Sequence, residues 1–431
     1  MLDRRSFLGV SSAALAATAC NPAGADAPAA QEELPESLAA LQSMRGPERP
    51  ITTEERAGRL DRARRLMGES RMDAMVLTGG TSLAYFTGMS WGLSERMLAV
   101  VVPASGTAFV VCPGFERDRA MEQVAKGPLA GGTDILTWEE HESPYALVAD
   151  GLKARGFAAG RVGVEETVRW VFSDGIALAA PALALTSATP VTAGCRGVKD
   201  AHEIELMRLA SQVTLKAYEA AWKALREGMT QNDFARLVSQ AHDRLGFAGG
   251  AGVQVGEFSA LPHGSITPQT VREGTILLID GGCSVEGYRS DISRTFVLGQ
   301  PTQKMKDVFE IELAAQTAAL RAARPGVECQ AVDAAARKVI TDAGYGPDYT
   351  YFTHRVGHGM GMDGHEWPYL VRGNTLALAP GMTFSDEPGI YIPGEFGVRL
   401  EDDMLVTETG AELLTPQSPS LEDPFGPAPA V

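Results

Sequence analysis

Two segments in the second half of the chain each carry a pair of carboxylates placed symmetrically about a turn, and antiparallel hairpins are the simplest backbone that accounts for both. The first, Thr275 to Leu298, reads TILLIDGGCSVEGYRSDISRTFVL, two β-rich runs joined through Glu286-Gly287. Asp280 and Asp291 are equidistant from a point between residues 285 and 286. A turn centred there sets the two carboxylates face to face, with Cβ atoms about 5 Å apart. The second segment, Phe384 to Val406, reads FSDEPGIYIPGEFGVRLEDDMLV, with Gly394 of the pair Pro393-Gly394 midway between Glu387 and Glu401. Like charges facing across a ladder destabilise it unless something positive lies between them, and a metal ion supplies that charge. Two Asp flanking one hairpin are more often turn chemistry than ligands. Four converging acids must either protonate or be neutralised by cations.

A third cluster, RVGHGMGMDGHEWP from Arg355 to Pro368, supplies nitrogen donors. His354 and His358 have the helical i, i+4 spacing of some zinc sites, yet Gly357, Gly359, Gly361 and Gly364 argue against a helix. The better reading is a Gly-rich loop that presents His358. A lone His is usually structural, and only the company of the four acids reverses that expectation. His263, His354, His358 and His365 all fall in this half of the chain.

Elsewhere the 431 residues divide by texture. Short apolar runs at Asp73–Leu77, Leu98–Pro103, Thr107–Cys112 and Arg161–Glu165 read as strands, alternating with helical stretches that include Glu54–Met67, Arg117–Ala125 and Tyr145–Arg155. That is an α/β pattern. A long helix from Asp200 to Glu227, capped by Asp200 and closed by Gly228, marks a boundary near Lys199. Helices at Gln231–Leu245, Gln303–Ala323 and Ala331–Ala343 follow. With 54 Asp and Glu against 38 Lys and Arg the formal charge is −16, which argues against nucleic acid and anionic membrane surfaces as partners. Cys112, Cys195, Cys283 and Cys329 form no CxxC pair and read as buried free thiols.

The set Asp280, Asp291, His358, Glu387 and Glu401, embedded in LIDGG, SDISRTF, GHGMGMDGHEWP, EPGIY and VRLEDD, resembles the metal-binding set of the M24 metallopeptidase family. The preceding domain, with SLAYFTG at Ser82 to Gly88, is similar to that of Xaa-Pro aminopeptidases, prolidases and creatinase. The resemblance spans roughly Glu54 to Pro416. It implies an α+β protein: a creatinase-type α/β amino-terminal domain over residues 53–198, then a pita-bread catalytic domain over 199–418. It also implies two divalent ions, with Asp280 on one, His358 and Glu387 on the other, and Asp291 and Glu401 bridging. Oxygen-rich ligation favours Mn, with Zn, Co or Fe as alternatives. His263 in LPHG and His365 in GHE match positions that bind substrate or shuttle protons, although LPHG departs from the family's commoner His-Tyr pairing. Arg399, two residues before Glu401, points to the same strand face and can brace a carboxylate. Asp386 is expected on the opposite face.

The activity implied is removal of the amino-terminal residue from peptides with proline second. Rival readings are hydrolysis of a non-peptide amide or phosphotriester on the same scaffold, and a binding module without catalysis, which the intact ligand set opposes. Dimers or tetramers are implied, with the amino domain bordering a neighbour's site and Trp91 and Arg96 as candidates there. At the amino end, Arg4-Arg5-Ser6-Phe7-Leu8 before a short Ala/Ser-rich run resembles a twin-arginine export signal over residues 1–19. The plain alternative is a disordered basic end. The export reading implies a periplasmic enzyme, and Cys20 is a candidate lipid anchor. Residues 20–52 read as a tether and 419–431 as a disordered tail.

Overall fold

The structure, a computed structural model, describes residues 34–426. The expected export signal, Cys20 and residues 427–431 lie outside the described residues. Among the described residues no helix is long and apolar enough to cross a membrane.

Six strands, β1 (Ala74–Thr78), β2 (Ala99–Pro103), β3 (Phe109–Pro113), β4 (Asp134–Trp138), β5 (Gly160–Val164) and β6 (Leu183–Ser187), form one sheet in the order β4-β3-β2-β1-β5-β6. The central strands β1, β2 and β3 are buried along their whole length, which is why their sequences AMVLT, AVVVP and FVVCP are unbroken apolar runs. The outermost strands β4 and β6 are partly exposed, lack that signature and were not anticipated. Helix Thr53–Glu69 begins at Thr52, which accepts from the Glu55 N–H while the Glu55 carboxylate accepts from the Thr52 N–H.

The second half has the expected long helix, Ala201–Lys223, with Asp200 and Glu203 in the same reciprocal cap. It stops four residues short of Glu227, because the N–H groups of Ala224 and Leu225 turn back to the carbonyls of Ala221 and Trp222 and tighten the last turn. Helices Gln231–Leu245, Gln303–Ala322 and Cys329–Asp342 follow. Strands β7 (Gly249–Val255), β8 (Ile276–Val285) and β10 (Ile292–Val297) form a sheet in the order β10-β8-β7, with β9 (Tyr288–Arg289) pairing on β8. A second sheet, β12-β11-β13-β16-β17, is built from β11 (Gly357–Gly359), β12 (Glu366–Leu370), β13 (Thr383–Asp386), β16 (Asp402–Val406) and β17 (Ala411–Leu413). β14 (Gly389–Ile392) and β15 (Phe396–Arg399) form a separate two-stranded ribbon. Ile276, Phe309, Phe352, Phe384, Val398 and Met404 share one core that joins the sheets to the last two helices.

Two segments are more ordered than their composition suggests. In the expected tether, helix Glu36–Ala39 buries Leu38 completely, Ser37 Oγ donates to Ala220 O at 2.8 Å, and Leu41 and Ile51 are buried. In the expected tail, Leu421 is buried, its carbonyl accepts from Val297 N–H at 3.0 Å, and Phe425 packs on Trp222. Single apolar anchors in polar sequence hold both, and they leave no periodicity to read.

Polar contacts also tie the two halves together. Arg59 donates to Glu203 at 3.1 Å and to Tyr288 OH at 2.8 Å. Arg196 reaches Asp363 at 2.6 Å and Glu366 at 2.5 Å, and Lys199 Nζ lies 3.3 Å from the other Glu366 oxygen.

Candidate metal centre

The first hairpin turns one position later than its acids suggest. Val285 faces Tyr288 and Ser284 faces Arg289, so the turn consists of Glu286 and Gly287, both with positive φ (49° and 89°), as a two-residue primed turn requires. The register therefore sets Asp280 opposite Ser293 rather than opposite Asp291. Asp291 lies between β9 and β10, two residues before Ser293, and meets Asp280 on the diagonal. The Gly281-Gly282 pair allows this: a Cβ at Gly282 would stand 1.9 Å from Ser290 O. Asp291 N–H donates to Asp403 Oδ1 at 3.1 Å, and Ser211 Oγ donates to the other Asp403 oxygen at 2.7 Å.

The second hairpin has the expected centre. Ile392 faces Phe396 across a three-residue loop, and Asp386 faces Asp402 in the same register farther along. Glu387 and Glu401 thus stand opposite each other at the break between two ladders. Glu401 N–H bonds to Ser293 O at 3.3 Å, and Ser293 Oγ donates to Glu401 Oε2 at 2.6 Å, which docks one hairpin on the other.

His358 lies in β11, a short central strand and not the expected loop. A Cβ at Gly357 would stand 2.0 Å from Ser385 O, so the glycines serve close strand approach. The His358 Nδ1 donates to Gly359 O at 3.1 Å, which leaves Nε2 turned to the acids, 3.2 Å from Glu387 Oε1 and 3.8 Å from Asp291 Oδ2.

Three triads have donor atoms all within 4.8 Å of one another: Asp280, Asp291 and Glu401; His358, Glu387 and Glu401; and Asp291, His358 and His365. Asp291, Glu401 and His358 each belong to two. Burial, then the charge of Asp280, pushes the Asp291 carboxyl up to about 7, and burial with Asp291 raises Glu401 well above the carboxylate range. Burial opposes ionisation at Glu387 too, yet the hydrogen bond to His358 holds it down at about 2. Two carboxyls whose pKa values rise for want of positive charge, next to an imidazole whose Nε2 faces the acids, form a donor set that suits divalent cations.

Arg399 is almost fully buried and spans the site. Its Nη2 lies 2.6 Å from Asp280 Oδ2, its Nε donates to Ser293 Oγ at 3.0 Å, and its Nη1 reaches Tyr391 OH at 3.0 Å and Pro262 O at 3.1 Å. Its direct partner is Asp280, and Glu401 is reached through Ser293. Tyr391 OH also bonds His354 Nε2 at 2.8 Å. Asp386 is buried away from the donors, both of its carboxylate oxygens without partners. His365 stacks on His358, ring centroids 3.8 Å and planes 16° apart. His263 is exposed on the Leu261–Gly264 loop and belongs to none of the triads. Sequence reasoning missed Ser293, Tyr391, Asp403 and Glu366, whose roles come from long-range partners.

Known proteins resemble the chain over nearly its whole described length. The model of metallopeptidase family M24 matches residues 205–408, and that of the creatinase/prolidase N-terminal domain matches residues 59–198. The chain is 34% identical over 380 residues to an Xaa-Pro dipeptidase of Lactobacillus delbrueckii subsp. lactis, covering 84% of this chain and 98% of that one. Dipeptidase PepE from Mycobacterium ulcerans superposes with a TM-score of 0.81 at 34% identity, covering 87% of this chain and 99% of that one. An Xaa-Pro dipeptidase from Bacillus anthracis gives 0.72 at 28% identity, covering 84% and 97%.

Proposed function

The chain belongs to metallopeptidase family M24, with a creatinase-type amino-terminal domain and a pita-bread hydrolase domain, and from that premise we propose that it is an Xaa-Pro dipeptidase working with two divalent ions. The observation that carries the reading is the convergence of Asp280, Asp291, His358, Glu387 and Glu401, with His365 beside them, in overlapping triads that share Asp291, Glu401 and His358. In this reading Asp280 holds one ion, His358 and Glu387 hold the other, and Asp291 and Glu401 serve both, Mn being favoured by the oxygen-rich set. Four carboxylates balance two divalent charges. When bound, such a pair lowers the pKa of water and polarises a carbonyl. The dipeptidase sense, in place of a general aminopeptidase, is supported by the names of the relatives above.

The protein's own groups have separate tasks. Arg399 holds Asp280 directly and Glu401 through Ser293, a positioning role in keeping with the brace expected of it. His365 accepts at Nδ1 from Arg355, so its Nε2 carries the proton beside the donor cluster and serves the departing proline nitrogen. His263, on its exposed loop, is assigned to substrate binding.

Export by the twin-arginine route to the periplasm, anchoring at Cys20, and a dimer or tetramer with Trp91 and Arg96 near a neighbour's site are further parts of the proposal. Fractionation of cells and light scattering test them. The activity is tested by metal-loaded cleavage of Xaa-Pro dipeptides, Xaa-Pro-Xaa peptides and Xaa-Ala controls. Preferential cleavage of Xaa-Pro dipeptides, lost in Asp291→Asn and His358→Ala without unfolding, is expected. Absence of Xaa-Pro cleavage with Mn, Co or Zn would refute it.

A further inference from the structure

We propose that Gln254 selects among the side chains of the substrate's amino-terminal residue and favours those that carry a hydrogen-bond donor, an inference that rests on the dipeptidase reading. In β7, Gly252 faces Asp280 and Gln254 faces Leu278. Residues two apart on a strand share a face. Gln254 therefore stands on the sheet face that carries Asp280 and, across from it in β10, Ser293 with its bond to Glu401. Its side chain lies between two glycines. Its Nε2 is 3.8 Å from where a Cβ of Gly252 would stand and 2.8 Å from where one of Gly264 would, next to His263. The amide thus leans back along the strand toward the position opposite Asp280.

Gln254 is 7% exposed, and its Oε1 is buried without a hydrogen-bond partner. An amide oxygen left so costs folding free energy that an apolar side chain of the same shape would not. Gln269, bonded to the next residue of the strand, shows the structural alternative: its Oε1 accepts from Val255 N–H at 2.6 Å. The floor beside Gln254 is open. Gly252 is exposed, and a Cβ built there would meet nothing nearer than Asp280 O at 3.7 Å. A glycine opposite a donor residue, walled by an acceptor that lacks a partner, is a seat for a side chain that arrives with the substrate.

The histidines set the direction in which the substrate lies. His365 shares a triad with Asp291 and His358, whereas the triad that contains Asp280 holds no imidazole. With His365 serving the departing proline nitrogen, the proline lies at the His358 end. The amino-terminal residue then falls at the Asp280 end, where Gln254 stands. An Asn, Ser or Thr side chain donates to Oε1 there. A Leu or Val side chain leaves it buried and unpaired, and a site with an unpaired polar group rejects the analogue that lacks the donor.

The test compares Asn-Pro with Leu-Pro, nearly equal in shape, in the metal-loaded enzyme for wild type, Gln254→Met and Gly252→Ala, with Gly-Pro as the reference. Wild type should favour Asn-Pro over Leu-Pro in kcat/KM by about 10-fold. Gln254→Met should bring that ratio to one or below. Any general loss of folded or metal-loaded enzyme lowers both rates and cancels in the ratio. Gly252→Ala, for which the fold has room, should lower kcat/KM for Asn-Pro and Leu-Pro relative to Gly-Pro by filling the seat. A wild type that does not prefer Asn-Pro, a preference kept in Gln254→Met, or a Gly252→Ala that leaves the Gly-Pro comparison unchanged overturns the role of Gln254 alone. A wild type that cleaves none of the three overturns the dipeptidase reading and this role together.

Discussion

Arg399 Nη2 and Asp280 Oδ2 stand 2.6 Å apart, a bond that joins the second hairpin to a carboxylate of the first. The brace acts on a donor atom, so its removal should show in metal affinity before it shows in folding. Arg399→Ala should weaken binding of Mn by about 10- to 100-fold. Arg399→Lys, which keeps the charge and loses the fork, should fall between. Titration against a chromogenic chelator measures it, and unaltered affinity in Arg399→Ala would show that Asp280 needs no brace.

Stripping the metals should make stability fall as pH rises. The Asp291 carboxyl titrates at about 7 in the metal-free folded chain because of burial and Asp280, against about 3.9 when unfolded. Between those values the folded state holds a proton that the unfolded state has released, so stability declines with increasing pH. His358 acts in the same direction: burial opposes its charge, Glu387 raises its pKa, and its stabilising proton is lost as pH climbs through the raised value. The melting temperature of the chelated protein should drop from about pH 5 to about pH 7.5, with a shallower slope in Asp291→Asn. A metal-free melting temperature that increases over this interval would contradict the assignment.

Glu366 is buried and held ionised: burial opposes its charge, but Lys199 and Arg196 keep its pKa below the usual value. Arg196→Ala removes one counter-charge, strands part of a buried anion, and should cost about 3 to 5 kcal/mol in urea denaturation. Glu366→Gln should cost less, since Arg196 keeps Asp363 as a partner. Equal losses would mean that the pair contributes by packing alone.

The four thiols of the described residues are buried, as expected from their spacing. Burial pushes Cys112 and Cys329 up to about 11 and Cys195 to about 12. None of the four should react with a disulfide reagent near pH 8 in the native protein, and all should react in denaturant. Rapid native labelling of Cys195 would show that the amino domain opens.

How much of this was legible in the sequence depended on the range of the interaction. The second hairpin was placed correctly because Gly394, with φ 74°, marks its pivot and the register continues unbroken on either side of Glu387 and Glu401. The first was displaced by one position, because Glu286 as well as Gly287 adopts positive φ and symmetry about the two acids is not symmetry about the turn. His358 could be recognised by its company, but its strand could not, since the glycines that excluded a helix make room for β13 and β12. Ser293, Tyr391 and Arg355 act through partners from about ten to over a hundred residues away, which no local pattern encodes.

The contacts of Glu366 bear on how such a chain can change over evolutionary time. Its counter-charges, Arg196 and Lys199, come from the end of the amino domain and the link that follows it, while Glu366 itself adjoins His365 at the donor cluster. The amino domain is therefore no interchangeable accessory. A replacement domain lacking these two cations would leave a stranded anion one residue from His365, so the halves can be exchanged only as a matched set.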